Sequence, residues 1–80
     1  MDPIEKIVAD ALDAAGVAYT VDGRDDTKGL DFRLSGIDVY IEAKQFHTPR
    51  TCEQMSRVND IIVIQGRRAA EMFAAMIARR

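Results

Sequence analysis

The chain is short of most residues that announce a specialised class. Its 80 residues hold no tryptophan, one cysteine (Cys52), one histidine (His47) and two prolines. A single cysteine excludes an internal disulfide, and one histidine beside it cannot complete a soft-ligand zinc site. No run of about 18 apolar residues occurs, so no membrane span is expected. The opening Met1-Asp2-Pro3-Ile4-Glu5-Lys6 shows no basic region leading into an apolar one, so an export signal is not expected either. A reducing cytoplasm is the expected setting. No repeat, linker or low-complexity segment divides the sequence, so residues 1–80 are expected to form one domain.

The remaining composition is that of an ordinary globular domain, 48% hydrophobic and 30% charged, too apolar to stay disordered. A domain this small hides only about 60% of the surface its unfolded chain exposes, so a thin core with help from a second subunit is expected. The net charge of -2 conceals an asymmetry. Residues 1–42 hold ten acidic groups against four basic ones, and residues 43–80 hold seven basic against three acidic. A basic half can face phosphate while an acidic cluster gathers a cation.

Asp2 and Pro3 read as the cap and first residue of a helix whose apolar positions Ile4, Ile7, Val8, Ala11, Leu12 and Ala15 recur at helical spacing until Gly16. Val17–Val21 reads as a strand, followed by the polar loop 22–29. Two alternating segments follow, Leu30–Leu34 and Ile37–Lys44, with Ser35-Gly36 as a two-residue hairpin turn. Thr48-Pro49 opens a short helix ending near Arg57, and Ile61–Ile64 reads as a strand buried on both faces. Arg67–Arg80 is a last helix with Met72, Phe73, Met76 and Ile77 as its large apolar residues. The expected fold is α/β with the order αβββαβα: a four-stranded mixed sheet flanked by helices, its fourth strand parallel to the third.

The hairpin brings chemistry together. A turn at Ser35-Gly36 pairs Leu34 with Ile37, sets Asp31 opposite Tyr40 and makes Glu42 its diagonal neighbour. Residues two apart share a face, so Asp31, Glu42 and Lys44 converge on one side of the sheet. Two carboxylates held close repel, and a divalent cation with oxygen preference, such as Mg²⁺, relieves the repulsion. Lys44 beside it is placed to orient or deprotonate a water, or to hold a phosphate oxygen. A solvated row of alternating charges on a half-exposed sheet is the plainer alternative.

These residues resemble the PD-(D/E)xK nucleases of the restriction-endonuclease-like superfamily: Leu30-Asp31, ten intervening residues, then Glu42-Ala43-Lys44 after the apolar run Ile37–Ile41. The closest likeness is to the small virus-type replication and repair nucleases (VRR-NUC), and more loosely to archaeal Holliday junction resolvases. Leu30 stands where the family name has proline. The resemblance implies that Mg²⁺ or Mn²⁺ is bound by Asp31, Glu42, the Ala43 carbonyl and Glu5 of the first helix, with Lys44 at the attacking water. It also implies a role for Gln54 in the helix after the lysine, and a substrate of branched or junction DNA in replication, recombination or repair. A catalytically inactive nuclease-fold module that binds DNA or a partner protein is the alternative it leaves open.

Other residues are weaker candidates. Arg50 and Arg57 suit phosphate contacts, as do Arg67 and Arg68. Tyr40 shares the active face and suits stacking on a base, although sheet tyrosines commonly just pack. His47 suits a phosphate contact or proton carrier, although a lone histidine before a helix is commonly an ordinary surface group. Lys28, with Arg24, Asp25 and Asp26, lies in a polar loop where solvation is the simpler reading. The stripe of Met72, Phe73, Met76 and Ile77 exceeds what one small sheet can cover, so a homodimer is expected.

Overall fold

A computed structural model describes residues 1–21 and 27–79. The positions Arg24, Asp25 and Asp26 lie outside the described residues. The elements are α1 (Pro3–Ala14), β1 (Tyr19–Val21), β2 (Phe32–Leu34), β3 (Tyr40–Lys44), α2 (Pro49–Met55), β4 (Ile61–Gln65) and α3 (Arg67–Ala78). They form one sheet of order β1-β2-β3-β4, antiparallel except for the parallel pair β3 and β4. Among the described residues no helix is long and apolar enough to cross a membrane.

Local sequence explains the helix starts. The Asp2 side chain accepts from the Glu5 N–H at 2.8 Å, and Pro3 follows where a missing N–H costs nothing. Thr48 and Pro49 repeat the device for α2, with the Thr48 hydroxyl accepting from the Thr51 N–H at 3.3 Å. Helices α1 and α3 lie over one face of the sheet. Ile4, Val8, Ala9 and Leu12 of α1 and Ala70 of α3 pack there against Phe32, Ile41, Ala43 and Ile64. Each large apolar side chain buried this way contributes roughly 1.5–3 kcal/mol.

The strands are shorter than their sequence pattern suggests. Val17 closes the turn that follows α1, its N–H donating to the Leu12 carbonyl at 2.9 Å, so β1 begins only at Tyr19. The β2–β3 connection is not a two-residue turn. Leu34 N–H donates to the Val39 carbonyl, the chain from Ser35 to Val39 forms a wider loop, and Ile37 is exposed. The register therefore slides by two residues from the expected one: Phe32 faces Ile41 and Arg33 faces Tyr40. Continuing that pairing sets Asp31 directly across from Glu42 rather than diagonal to it. A slide of two preserves side-chain direction, so the facial grouping survives.

The other departure is β4. Its β-branched run suggested burial on both faces, but β4 is an edge strand, and Ile62 and Val63 are exposed while Ile64 alone is buried. Helix α2 touches the turn before β2, where a Cβ on Gly29 would lie 3.3 Å from the Gln54 amide. Leu30, Thr27 and Tyr40 are buried without joining the main cluster, which places a second small packed layer beneath the turn at 27–30.

Candidate active site

The site lies where β2 parts from β3. Thr27 to Leu30 make a tight turn closed by the Leu30 N–H on the Thr27 carbonyl at 3.0 Å. Lys28 and Gly29 both take left-handed backbone there (φ 54 and 80), a conformation that costs a glycine little and a lysine more. The turn buries Leu30 and delivers Asp31 to the sheet just before β2 begins. With β2 not yet alongside, the Ala43 N–H of β3 has no strand partner, and Asp31 Oδ2 accepts it at 2.8 Å. The Asp31 N–H in return donates to Glu42 Oε1 at 3.1 Å. Two acidic side chains thus complete the ladder where the backbone cannot.

Both are deeply buried, Asp31 at 3% and Glu42 at 2% exposure. The Lys44 ammonium donates to Asp31 Oδ1 at 2.8 Å and to Glu5 Oε1 of α1 at 3.4 Å. The ammonium thereby ties β3 to a group 39 residues earlier in the sequence. Asp31, Glu42 and Lys44 are brought together as the spacing implied, and Glu5, which the resemblance implied, joins them through Lys44.

The electrostatics divide their roles. Burial, then the hydrogen bond and repulsion from Asp31, push the Glu42 carboxyl up to about 8, so at neutrality it holds a proton. Burial, the Asp2 side chain and Asp31 raise Glu5 as well. For Lys44, burial works to lower the pKa, but the hydrogen bond to Asp31 and the charges of Asp31, Glu5 and Glu42 outweigh it and raise it. An ammonium held this way suits two of the roles expected for Lys44, holding a phosphate oxygen and orienting a water.

The donor set suits a hard cation. Asp31 and Glu42 offer carboxylate oxygens, and strand alternation turns the main chain of Ala43 toward the β2 side where they sit. Mg²⁺ keeps several of its waters and needs only one or two protein carboxylates, so this pair is sufficient. Among the described residues no group of three or more His, Cys, Asp or Glu side chains forms a ready cage. Glu5 reaches the site through Lys44.

The remaining candidates separate. Gln54 lies against Gly29, behind the turn that carries Asp31, and contacts none of the charged groups. Lys28, Tyr40 and Arg57 gather at the far end of β3, where with Asn59, Asp38 and Asp60 they line a cavity of about 200 Å³. The Lys28 ammonium stands 5.9 Å over the Tyr40 ring, and Tyr40 is buried, so it packs rather than offering a stacking surface. Arg57 pairs with Glu53 at 3.4 Å in solvent, and Arg50 is exposed at the start of α2.

His47 is held by Gln65, a residue sequence reading did not single out. Gln65 is the register partner of Lys44 and accepts at Oε1 from both the His47 N–H (3.0 Å) and ring Nδ1 (2.9 Å). The backbone N–H can only donate, so the facing Gln65 atom is its oxygen and Nδ1 carries the ring proton. His47 Nε2 is buried and without a partner among the described residues. An amide side chain at the end of a strand parallel to the lysine's was the available signal.

No family model, characterised protein or solved structure matches this chain.

Proposed function

We propose that this protein is a divalent-metal-dependent nuclease that hydrolyses phosphodiester bonds in DNA, acting as a homodimer in the cytoplasm. The observation that carries the reading is the meeting of Asp31, Glu42 and Lys44 where β2 leaves β3, two buried carboxyls and an ammonium held within hydrogen-bond reach of one another. Such an arrangement costs stability unless the carboxyls are neutralised, and a hydrolytic metal site explains why it is kept. The basic weighting of residues 43–80 supports a polyanionic substrate.

In this reading Asp31, Glu42 and the Ala43 carbonyl hold Mg²⁺ or Mn²⁺, with Glu5 anchoring Lys44. The metal would supply a more acidic water and stabilise charge on the phosphoryl oxygens. Asp31 holds Lys44 and the Ala43 N–H at once, fixing the end of β3 against the turn. Lys44 keeps its positive charge throughout and orients the phosphate or the incoming water. Arg50, exposed in the first turn of the helix that follows β3, would contact a neighbouring phosphate.

The test is incubation of end-labelled branched, duplex and single-stranded DNA with the protein and Mg²⁺ or Mn²⁺. Cleavage that disappears with EDTA, with Asp31→Asn and with Lys44→Ala is expected. Cleavage surviving in Lys44→Ala would sink the assignment of this site. A Mn²⁺-dependent rise in Tm without cleavage of any substrate would favour the inactive DNA-binding module instead.

A further inference from the structure

We infer that two copies of this chain join through β4, edge to edge and antiparallel about a two-fold axis at Val63, into one continuous eight-stranded sheet. The inference rests on the homodimeric part of the proposal and deepens it by assigning the surface; it does not depend on the chemistry.

The hydrogen bonding of β4 defines what it offers. The Tyr40 N–H donates to the Asp60 carbonyl at 3.1 Å, and the Gly66 N–H to the Lys44 carbonyl at 2.9 Å. With Tyr40 facing Ile61 and Lys44 facing Gln65, a regular parallel ladder spends both main-chain groups of Ile62 and Ile64 on β3. Ile61, Val63 and Gln65 then direct their N–H and C=O groups outward, and none has a hydrogen-bond partner there among the described residues. Three alternate residues with open groups are centred on Val63. An antiparallel copy matches Ile61 with Gln65 and Val63 with itself, so all three pairs exchange both bonds.

The layer above ends at the same place. Helical spacing turns Ala74, Ile77 and Ala78 of α3 toward α1, with which they line a common groove. By the same spacing Met72 and Met76 fall on the flank away from α1, at 61% and 63% exposure. Ile62 of β4 is also exposed. Sheet and helix thus both stop at an apolar margin, and a partner must present a strand edge with a helix above it. A second copy does so by symmetry. The strand has no charge or proline to blunt its edge, which isolated edge strands normally carry.

Charge selects the direction. Asp60 precedes the strand and Arg67 follows it, so antiparallel pairing brings the acidic start of one copy beside the basic end of the other. Parallel pairing would set like beside like. The exposed parts of Ile62, Val63, Met72 and Met76 amount to on the order of 400 Å² per copy, about half of a standard partner's share before the backbone is counted. The axis stands perpendicular to the sheet, so the two Lys44 faces point the same way, with the β3 strands about 14 Å apart.

The experiment is sedimentation or light scattering across a concentration series, for the full chain and for Val63→Lys, with circular dichroism to confirm folding. A dimer is expected for the parent chain, and a rise of about 100-fold or more in its dissociation constant for the variant, since two ammonium groups would meet at the axis. Independently, Val63→Cys in a Cys52→Ser background should form a symmetric disulfide on mild oxidation, because paired residues there have Cα atoms about 5.5 Å apart. A dimer indifferent to Val63→Lys and unable to form that cross-link would overturn the β4 assignment while leaving a homodimer standing. A monomer at every concentration would overturn both. Neither outcome bears on cleavage, which is read separately.

Discussion

Two sides of one small sheet reverse the usual partition of residues. Where β2 meets β3, carboxyl groups are inside, with Asp31 and Glu42 nearly inaccessible. Along β4 and the outer flank of α3, apolar groups are outside, with Val63 at 49% exposure and two methionines beyond 60%. The first reversal is stabilised locally: every buried oxygen that is engaged has a named donor, from the Ala43 N–H to the Lys44 ammonium. The second has no local compensation, and its remedy lies in another molecule. Buried charge that is fully partnered signals chemistry, whereas exposed apolar surface along an open edge signals assembly.

The largest effect is expected from titrating the buried side. A Glu42 carboxyl raised from its ordinary 4.5 to about 8 binds its proton more tightly in the folded chain than in the unfolded one. Below pH 4.5 both states are protonated and nothing is lost. Between about 4.5 and 8 only the folded state holds the proton, so stability falls as pH rises through that window, by about 5 kcal/mol at the very most. Glu5, also raised, works in the same direction, while the raised Lys44 acts only above 10.5. Urea unfolding at pH 5 and pH 8 should show the decline, and Glu42→Gln should flatten it while abolishing cleavage. Mn²⁺ should restore stability increasingly toward pH 8, because binding releases the Glu42 proton. A pH-independent midpoint in the parent chain would mean that Glu42 is not protonated in the fold.

Removing the cation instead of the proton should act next most strongly. Lys44→Met keeps the aliphatic length but leaves Asp31 and Glu5 without their shared partner. A loss of about 3 kcal/mol is expected at pH 8, the low end for breaking a buried pair because Lys44 is itself about a third exposed. At pH 5, where Glu42 holds its proton and repulsion among the carboxyls is relieved, the loss should be smaller. Equal losses at both pH values would indicate that packing of the lysine stem, not charge, holds the site together.

The site was the more legible of the two regions. Period-two alternation fixes the face of Glu42 and Lys44 whatever the turn length, and a register error of two residues returns Asp31 to the same side. The turn itself was misjudged because Ser35-Gly36 is a permissive signal, and Ile37 and Val39 resemble strand residues although they sit in a loop. The contacts from Glu5 and Gln65 depend on how α1 and β4 lie across the sheet, which local pattern does not encode. The edge was read wrongly for a physical reason: Ile61-Ile62-Val63-Ile64 states that burial is needed but not by what. The same four residues serve a strand between two neighbours or a strand awaiting one.

Within α3 the comparison can be drawn on a single helix, where the expected effect is smallest and the control is closest. Phe73 and Ile77 pack against the core, and Met72 and Met76 point away from it. At concentrations where the chain is monomeric, Met72→Ser should change unfolding free energy by less than about 0.5 kcal/mol, as for other exposed positions. Phe73→Ala, one residue along, should cost about 3 kcal/mol at any concentration. Raising the protein concentration into the dimeric range should then separate the parent from Met72→Ser in apparent Tm while leaving the Phe73→Ala deficit unchanged, because only Met72 acts through mass action. If Met72→Ser destabilises the monomer as much as Phe73→Ala does, the outer flank of α3 is part of the chain's own core and is not a surface reserved for a second copy.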